Sequence, residues 1–315
     1  MRIVFVGTIQ FSRHCLSQIL TNGGYVVGVV TLAKEHAKFH SDYADLSDVA
    51  SQHGIPVYKI KNINDPENVR LVRSLRPDVI FVFGWSQLVS KQILTIPSLG
   101  AIGAHPALLP RNRGRHPIIW ALVEGLKESG LTFFYMDEGA DSGAILWQRP
   151  LPIMLEDDAG SLYEKICMLA SDAIREFLPW LQQGTAPRLI QDHTRSTYWR
   201  KRTEKDGEIH WKETTMRIYN LIRALARPYV GAHTWFNSDK MVIWRAKLSE
   251  EALSDDALSL APGSIFKEFD NQFHVRSGDG YLIILEFESV KENTIKVGDR
   301  LGVRCESLCN LGSSR

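Results

Sequence analysis

Short apolar segments alternate with helical ones through the first half of the chain, and this alternation limits the fold more than any other feature. Residues 2–7, 25–31 and 78–83 are rich in β-branched and aromatic side chains, which is typical of buried strands. Further strands are predicted at 56–58, 102–105 and 130–136, and helices at 12–20, 45–53, 68–75, 116–124 and 161–182. The alternation predicts an α/β fold with a doubly wound, mostly parallel, Rossmann-like sheet.

The pattern changes in the second half of the chain. After a predicted amphipathic helix at 214–226, five short strands are separated by Gly, Asn and Asp, at 232–236, 241–246, 263–269, 273–277 and 281–287. Such spacing is typical of a smaller, β-rich, OB-like domain. We therefore predict a catalytic domain over 1–190, a linker over 191–206, the OB-like domain over 207–302 and a polar tail over 303–315.

Charge and cysteine content exclude several classes of protein. The 315 residues carry 37 Lys and Arg against 36 Asp and Glu, so the basic surplus typical of nucleic-acid binding is absent. Cys15, Cys167, Cys305 and Cys309 show no C-x-x-C pairing, which argues against a disulfide framework and a zinc site. No apolar run reaches the length of a membrane span, and we expect a cytoplasmic protein with no membrane partner.

Polar or glycine-rich loops follow several of the predicted strands. Ligands of doubly wound sheets bind beyond the carboxyl ends of the strands, so the loops at 7–10, 84–87, from 105 onward and at 137–143 form the candidate site. The first of these loops lacks G-x-G-x-x-G, which weakens a dinucleotide-binding interpretation.

One of these loops contains a histidine in a stiff setting. His105 follows a short strand, and Pro106, Pro110 and Pro117 restrict the backbone after it, as a general acid or base requires. A purely structural histidine is the alternative. The acidic loop at 137–143 offers a carboxylate that could orient the imidazole, although we expect Asp137 and Glu138 to serve solvation or capping.

Two segments together resemble a known family. HPALLPRNRG and MDEGADSG, in this order, are similar to the paired motifs of formyltransferases that use N10-formyltetrahydrofolate. The segment from Arg202 to Phe236 resembles the start of that family's carboxyl-terminal domain, and the similarity extends to about residue 302. The resemblance implies an N-formyltransferase with N10-formyltetrahydrofolate as co-substrate, no metal, and a homodimer paired through the carboxyl-terminal domain.

The resemblance also implies the catalytic residues. The family histidine falls on His105 and the family aspartate on Asp141, whereas the family asparagine, whose amide holds the formyl oxygen, falls on Gly103. Loss of one such donor typically costs about 10²–10³ in rate, so we expect another group to replace it. The implied folate-binding residues are Phe83, Gly84, Trp85, Ser86, Gln87, Leu88, Met136, Asp137, Glu138, Gly139 and Ala140.

The acceptor amine is expected to belong to a nucleotide-linked amino sugar, a UDP- or dTDP-linked 4-amino-4,6-dideoxyhexose used in surface glycan. The carboxyl-terminal segment resembles the branch of the family that acts on such sugars, and clustered cations suit a pyrophosphate. The expected acceptor-binding residues are Thr8, Gln10, Phe11, Ser12, Arg113, Arg115, Tyr198, Lys201 and Arg202. A methionyl-tRNA acceptor, a formyl-folate hydrolase and a folate- or nucleotide-binding module without catalysis are the alternatives.

Overall fold

The computed structural model describes residues 1–37, 41–249, 251–289 and 295–303, and it divides the chain into two compact units. The first unit comprises 1–118, 127–155 and 161–201, and the second comprises 119–126, 156–160 and the residues from 202 onward. Segment 191–201, part of the predicted linker, is therefore grouped with the first unit. Most of the predicted tail, together with Cys305 and Cys309, lies outside the described residues.

Most of the predicted elements of the amino-terminal half are present, with small differences at their ends. The strands are β1 Arg2–Val6, β2 Tyr25–Leu32, β3 Val57–Ile60, β4 Val79–Val82, β5 Ala101–His105, β6 Arg113–Gly114, β7 Glu128–Tyr135, β8 Ile145–Pro152 and β9 Tyr198–Trp199. The helices are α1 Gln10–Thr21, α2 Ser47–Gln52, α3 Pro66–Ser74, α4 Lys91–Leu94, α5 Pro117–Val123 and α6 Ala159–Gln183.

Seven strands form one sheet in the order β3-β2-β1-β4-β5-β7-β8. The pairs from β3 to β5 are all parallel, while β7 is antiparallel to both β5 and β8. The predicted α/β fold with a mostly parallel sheet is confirmed. The chain builds outward from β1 to β3 and then returns to β4 on the other side of β1, so the strand order reverses between β1 and β4, where ligands of such sheets bind.

The sheet is covered on both faces. One face carries an aliphatic layer that includes Val4, Val30 and Ile80. On the other face, Phe81, Phe83, Phe133 and Phe177 stack with ring centroids 4.9–6.0 Å apart. Each fully buried phenylalanine contributes about 2–3 kcal/mol of apolar burial, so this aromatic layer fixes α6 against the strands.

The second unit contains an antiparallel sheet. After α7 Thr215–Leu225, its elements are β10 Ala232–Phe236, β11 Asp239–Leu248, α8 Asp255–Ser259, β12 Ile265–Phe269, β13 Gln272–Arg276 and β14 Tyr281–Ser289. The sheet order is β10-β11-β14-β13-β12, and a four-residue turn at 277–280 joins β13 to β14 as the sequence predicts. A smaller β-rich second domain is confirmed, while its OB-like closure stays a prediction. No helix in the described ranges has the length and apolarity needed to cross a membrane.

Candidate active site

The loops after β1 and β4 are held together by two glycines and a serine. A Cβ on Gly7 would lie 2.7 Å from the Phe83 carbonyl oxygen, and a Cβ on Gly84, at φ +65°, would lie 2.5 Å from Ser12 Oγ. Ser12 Oγ donates to the Phe83 carbonyl at 2.6 Å and accepts the Thr8 N–H at 3.1 Å. These contacts need bare backbone at both glycines and fix the floor at the reversal of strand order.

Four expected acceptor-binding residues lie in this first loop and at the start of α1. Thr8, Phe11 and Ser12 are buried, whereas Gln10 is exposed. The backbone N–H of Phe11 donates to the Tyr163 hydroxyl at 2.7 Å, which ties the start of α1 to α6. Of these four residues, Gln10 is the one whose side chain is exposed to solvent.

The two loops expected to bind folate share one apolar support. Trp85 and Met136 both pack against the aliphatic layer of the sheet. Two hydrogen bonds tie Gln87 to the backbone of the loop after β3: its Oε1 accepts the Ile63 N–H at 3.2 Å, and its Nε2 donates to the Lys61 carbonyl oxygen at 2.7 Å. This side chain therefore anchors its own loop. Leu88 is 80% exposed and lies at the open end of the same loop.

The acidic loop at 137–143 is shaped by its own side chains. Asp137 Oδ1 accepts the Gly139 N–H at 3.0 Å and the Ser142 hydroxyl at 2.6 Å. Glu138 forms an exposed ion pair with Lys91 at 2.6 Å. Asp137 therefore holds its own loop and Glu138 pairs with Lys91, while Asp141 is the acid of this loop that lies beside the imidazole.

His105 and Asp141 lie together at the end of β5. His105 is 4% exposed, and its Nδ1 is 3.5 Å from Asp141 Oδ2. Its Nε2 is 2.7 Å from the backbone carbonyl oxygen of Asn112. Asp141, at φ 53°, accepts the backbone N–H of Gly114 at 2.9 Å through the same Oδ2. A buried imidazole with one nitrogen beside a carboxylate can take up or release a proton in a defined direction.

The two residues meet by a route different from the predicted one. The sequence argument assumed that parallel strands bring their following loops to one edge, but β7 is antiparallel to β5. The loop after β7 accordingly begins beside the first residue of β5, where Met136 N donates to the Ala101 carbonyl at 2.7 Å. It then returns to place Asp141 beside His105. The predicted pair is close in space, although the predicted reason for it is wrong.

At Gly103 the room for a side chain is occupied. Gly103 faces Phe134 across the β5–β7 ladder, and a Cβ there would lie 2.9 Å from Phe134 Cζ and 3.1 Å from Met136 Cγ. Phe134 is 3% exposed. The wall beside His105 is therefore apolar at the position where the resemblance expects an amide.

Arg113 has a different environment from the one expected for an acceptor-binding cation. It is 1% exposed, and it donates to the Tyr198 hydroxyl at 2.8 Å and to Gln191 Oε1 at 2.7 Å. Gln191 in turn donates to the carbonyl oxygen of Asp141 at 2.9 Å. Sequence reasoning missed Gln191 because its contacts are to backbone carbonyls far away along the chain, which leave no local pattern.

Of the other cations expected to bind the acceptor, Arg115 and Lys201 lie in the first unit, beside Arg200, and Arg202 lies in the second. In the first unit, the backbone N–H of Arg115 donates to the Trp199 carbonyl oxygen at 3.1 Å. The Arg115 guanidinium donates to the carbonyl oxygen of Ser86, in the loop after β4, at 2.7 Å. Arg115, Arg200 and the exposed Lys201 directly follow the paired strands β6 and β9 in the chain. In the second unit, Arg202 is stacked 4.6 Å from the Trp120 ring.

The described cysteines do not add reactive groups. Burial raises the pKa of the Cys15 thiol well above its usual value and raises that of Cys167 to about 12. Among the described residues there is no cluster of His, Cys, Asp and Glu that could hold a metal ion.

Comparisons with known proteins identify both halves of the chain. A family model described as "Formyl transferase" matches residues 1–178, and a second, described as "Formyl transferase, C-terminal domain", matches residues 201–301. The methionyl-tRNA formyltransferase of Ruminiclostridium cellulolyticum is 32% identical over 315 residues, which cover 96% of this chain and 100% of that protein. The bifunctional polymyxin resistance protein ArnA of Wigglesworthia glossinidia brevipalpis is 35% identical over 252 residues, 80% of this chain and 38% of that protein.

Solved structures share the fold. The sugar 3N-formyl transferase WlaRD, solved with dTDP and 5-N-formyl-THF, has a TM-score of 0.66 at 19% identity and covers 93% of this chain and 99% of its own. An N-formyltransferase from Helicobacter canadensis, in complex with folinic acid and dTDP-3-aminofucose, has a TM-score of 0.66 at 20% identity, covering 91% of this chain and 99% of its own. At these identities the likeness shows the fold alone.

Proposed function

Since the chain belongs to the formyl transferase family, we propose that it transfers a formyl group from N10-formyltetrahydrofolate to the amine of a nucleotide-linked amino sugar. The observation that carries the transfer step is the pairing of the buried His105 with the half-buried Asp141, whose Oδ2 lies 3.5 Å from His105 Nδ1. The proposed acceptor class rests on the cations beside the site and on the resemblance of the carboxyl-terminal segment to the sugar-nucleotide branch of the family.

The residues of the site suit the co-substrate. The loop at 83–88 stands at the reversal of strand order, and the loop at 136–140 shares its apolar support. Backbone groups of these two loops are proposed to hydrogen-bond the pterin. Gly84 lets the loop after β4 lie close to the loop after β1, because a Cβ at this position would collide with Ile9 and Ser12.

The proposed reaction is a nucleophilic acyl transfer. The neutral acceptor amine attacks the formyl carbon on N10, and negative charge develops on the formyl oxygen. His105 keeps Nδ1 beside Asp141. Its Nε2, exchanging the Asn112 carbonyl oxygen for the substrate, is proposed to stabilise that oxygen or to carry the proton lost by the attacking nitrogen. The bond between carbon and N10 then breaks, N10 takes a proton, and tetrahydrofolate and the N-formyl product leave.

The cations beside the site favour a pyrophosphate. Arg115, Arg200 and Lys201 directly follow the paired strands β6 and β9, and the Arg115 guanidinium also reaches the loop proposed to hold folate. Guanidinium and ammonium groups bind phosphate oxygens through charge-assisted hydrogen bonds. Three such cations suit two phosphates, while a net charge of +1 gives no broad basic surface.

A methionyl-tRNA acceptor is the second candidate. It is favoured by one specific observation: methionyl-tRNA formyltransferases are 32–34% identical to this chain over nearly its whole length. Binding of a tRNA would depend steeply on salt because several phosphates must be neutralised, whereas binding of one pyrophosphate depends on it weakly.

One assay distinguishes the candidates. Purified protein is given N10-formyltetrahydrofolate and, separately, UDP- and dTDP-linked 4-amino sugars, methionyl-tRNA or no acceptor, and release of tetrahydrofolate is followed by absorbance. We expect release with a sugar nucleotide and its loss in His105→Ala. Release only with methionyl-tRNA would replace the proposed acceptor, release without acceptor would indicate a hydrolase, and folate binding without turnover would indicate a binding module.

The position of the pyrophosphate has its own test. Lys201→Ala is expected to raise the KM for the sugar nucleotide about tenfold and leave the KM for folate unchanged, because one charged hydrogen bond is lost. Lys205 is an exposed lysine of the second unit, and Lys205→Ala is the matched control. An equal rise in both KM values for Lys201→Ala would mean that the pyrophosphate is misplaced.

A further inference from the structure

The most unusual side chain near the site is the buried guanidinium of Arg113. It is 1% exposed, and the described part of the chain brings no carboxylate within ion-pair distance of it. Its partners are neutral: the Tyr198 hydroxyl, Gln191 Oε1 and, at 3.2 Å, His193 Nδ1. Its Nε has no hydrogen-bond partner among the described residues. A charge buried in this way is costly, so its retention points to a role beyond packing.

The guanidinium fixes the orientation of one amide. Gln191 is 4% exposed and contacts Arg113 on one side and the carbonyl oxygens of Asp141 and Gly143 on the other, at 2.9 and 2.6 Å. Arginine can only donate hydrogen bonds and backbone carbonyls can only accept them. The oxygen of the Gln191 amide must therefore face Arg113, and its nitrogen must face the two carbonyls.

The peptide groups on either side of Arg113 contact the reacting pair directly. The Asn112 carbonyl oxygen lies 2.7 Å from His105 Nε2, and the Gly114 N–H donates to Asp141 Oδ2 at 2.9 Å. Asp141 is thus held twice, at its carboxylate by Gly114 and at its backbone by Gln191. It has φ 53°, in the left-handed region, which Asp adopts more readily than most non-glycine residues and which these two contacts stabilise here.

We propose that Arg113 and Gln191 are positioning residues of this active site: the buried guanidinium orients the Gln191 amide, and that amide holds residues 141–143 so that the Asp141 carboxylate faces His105. Neither side chain touches the reacting atoms in this role. The inference rests on the proposed function, because it concerns the geometry of the same His105–Asp141 pair.

Gln191→Glu separates positioning from packing. The carboxylate keeps the size of the amide and gives Arg113 an ionic partner, but it cannot donate to the carbonyl oxygens of Asp141 and Gly143. We expect an unchanged or higher thermal midpoint, a kcat lowered about 10- to 100-fold, as a displacement of about 1 Å can cause, and KM values within about threefold of the parent. Gln183→Glu, exposed at the end of α6, is the matched control and should leave kcat unchanged.

A second readout does not depend on turnover. The Gly114 amide, which donates to Asp141 Oδ2, should exchange its hydrogen with solvent faster in Gln191→Glu than in the parent, because the carboxylate it bonds is no longer held. Arg113→Lys, which loses the forked geometry that orients Gln191, should show the same faster exchange and a lower kcat.

The outcomes separate the inference from the proposed function. A parental kcat and parental Gly114 exchange in Gln191→Glu would overturn the positioning role, provided that His105→Ala is inactive. A raised KM with unchanged kcat would also overturn it, because Gln191 would then bind substrate. Full activity of His105→Ala would instead refute the proposed function, while faster Gly114 exchange in Gln191→Glu would still support the structural link.

Discussion

The contact between Gly103 and Phe134 gives a quantitative prediction about stability. Gly103→Asn restores the residue type that the family motif has at this position, but its Cβ would lie 2.9 Å from Phe134 Cζ and 3.1 Å from Met136 Cγ. Phe134 is 3% exposed, so its ring cannot swing into solvent without losing its burial. Overpacking of this kind costs about 1–3 kcal/mol. We expect Gly103→Asn to be destabilised by that amount.

A double-mutant cycle isolates the steric cause. Phe134→Leu removes the distal ring atoms that Gly103→Asn would meet, and alone it should cost about 1 kcal/mol through the space it leaves. If the collision is the cause, the double variant should be more stable than the sum of the two single effects by at least about 1 kcal/mol. Each asparagine variant would then be compared with Gly103→Ala, which carries the same Cβ without the amide.

Hydrogen exchange of the β5–β7 ladder is the suitable assay, because the chain has two units and its global unfolding need not be a single transition. The thermal midpoint of the first unit provides a check, since 1 kcal/mol shifts it by about 2–4 °C in a domain of this size. Effects that add to within about 0.5 kcal/mol, or a Gly103→Asn variant as stable as the parent, would refute the reasoning.

Three further predictions follow from local geometry and from the pKa values. Gly84→Ala should lower the thermal midpoint far more than Gly54→Ala, because both glycines have φ +65° but only Gly84 has atoms within 4 Å of the added Cβ; equal losses would contradict this. Cys167, whose pKa is about 12, should react with iodoacetamide about 10³ times more slowly at pH 8 than a thiol at its usual value, as peptide mass spectrometry can measure; labelling at the rate of an exposed thiol would exclude this burial effect. Asp45 is exposed, and its desolvation is outweighed by its hydrogen bonds from Ser47 and, at 2.9 Å, from Lys59, which lower its pKa to about 2. Its folded-state pKa is depressed, so Asp45→Asn should cost under about 1 kcal/mol at pH 7, and this cost should shrink as the pH falls from about 4 through 2; in urea unfolding, a loss as large at pH 2 as at pH 7 would contradict the linkage.

The sequence predicted the elements whose hydrophobic period is regular. The buried strands β1, β2 and β4 and the long helix α6 differ from their predicted bounds by at most two residues at either end. It missed β8 because Pro150 and Pro152 argue against a strand. β8 is an edge strand of the sheet, where prolines are tolerated since their missing N–H groups need no partner on the open side.

The candidate site was predictable where a motif carried it. His105 and Asp141 lie in two motifs whose spacing suggests one reaction, and the structure has them 3.5 Å apart. The direction of β7 was not predictable, because a fully apolar strand has the same sequence pattern in a parallel and in an antiparallel pair. Nor was the burial of Arg113, since an arginine in a polar loop predicts an exposed cation.

The segment after α6 shows why composition alone is a weak guide to the extent of a catalytic unit. Residues 191–201 are polar and basic, which predicts a linker, yet Gln191 bonds the Asp141 loop and β9 pairs with β6. These contacts are made through backbone groups and single amides, so they need no apolar pattern in the sequence. A domain boundary drawn at residue 190 would separate Arg113 from both Gln191 and Tyr198 and leave a buried guanidinium without acceptors. The first compact unit accordingly extends to Lys201, beyond Tyr198, the last partner of this buried charge in the chain.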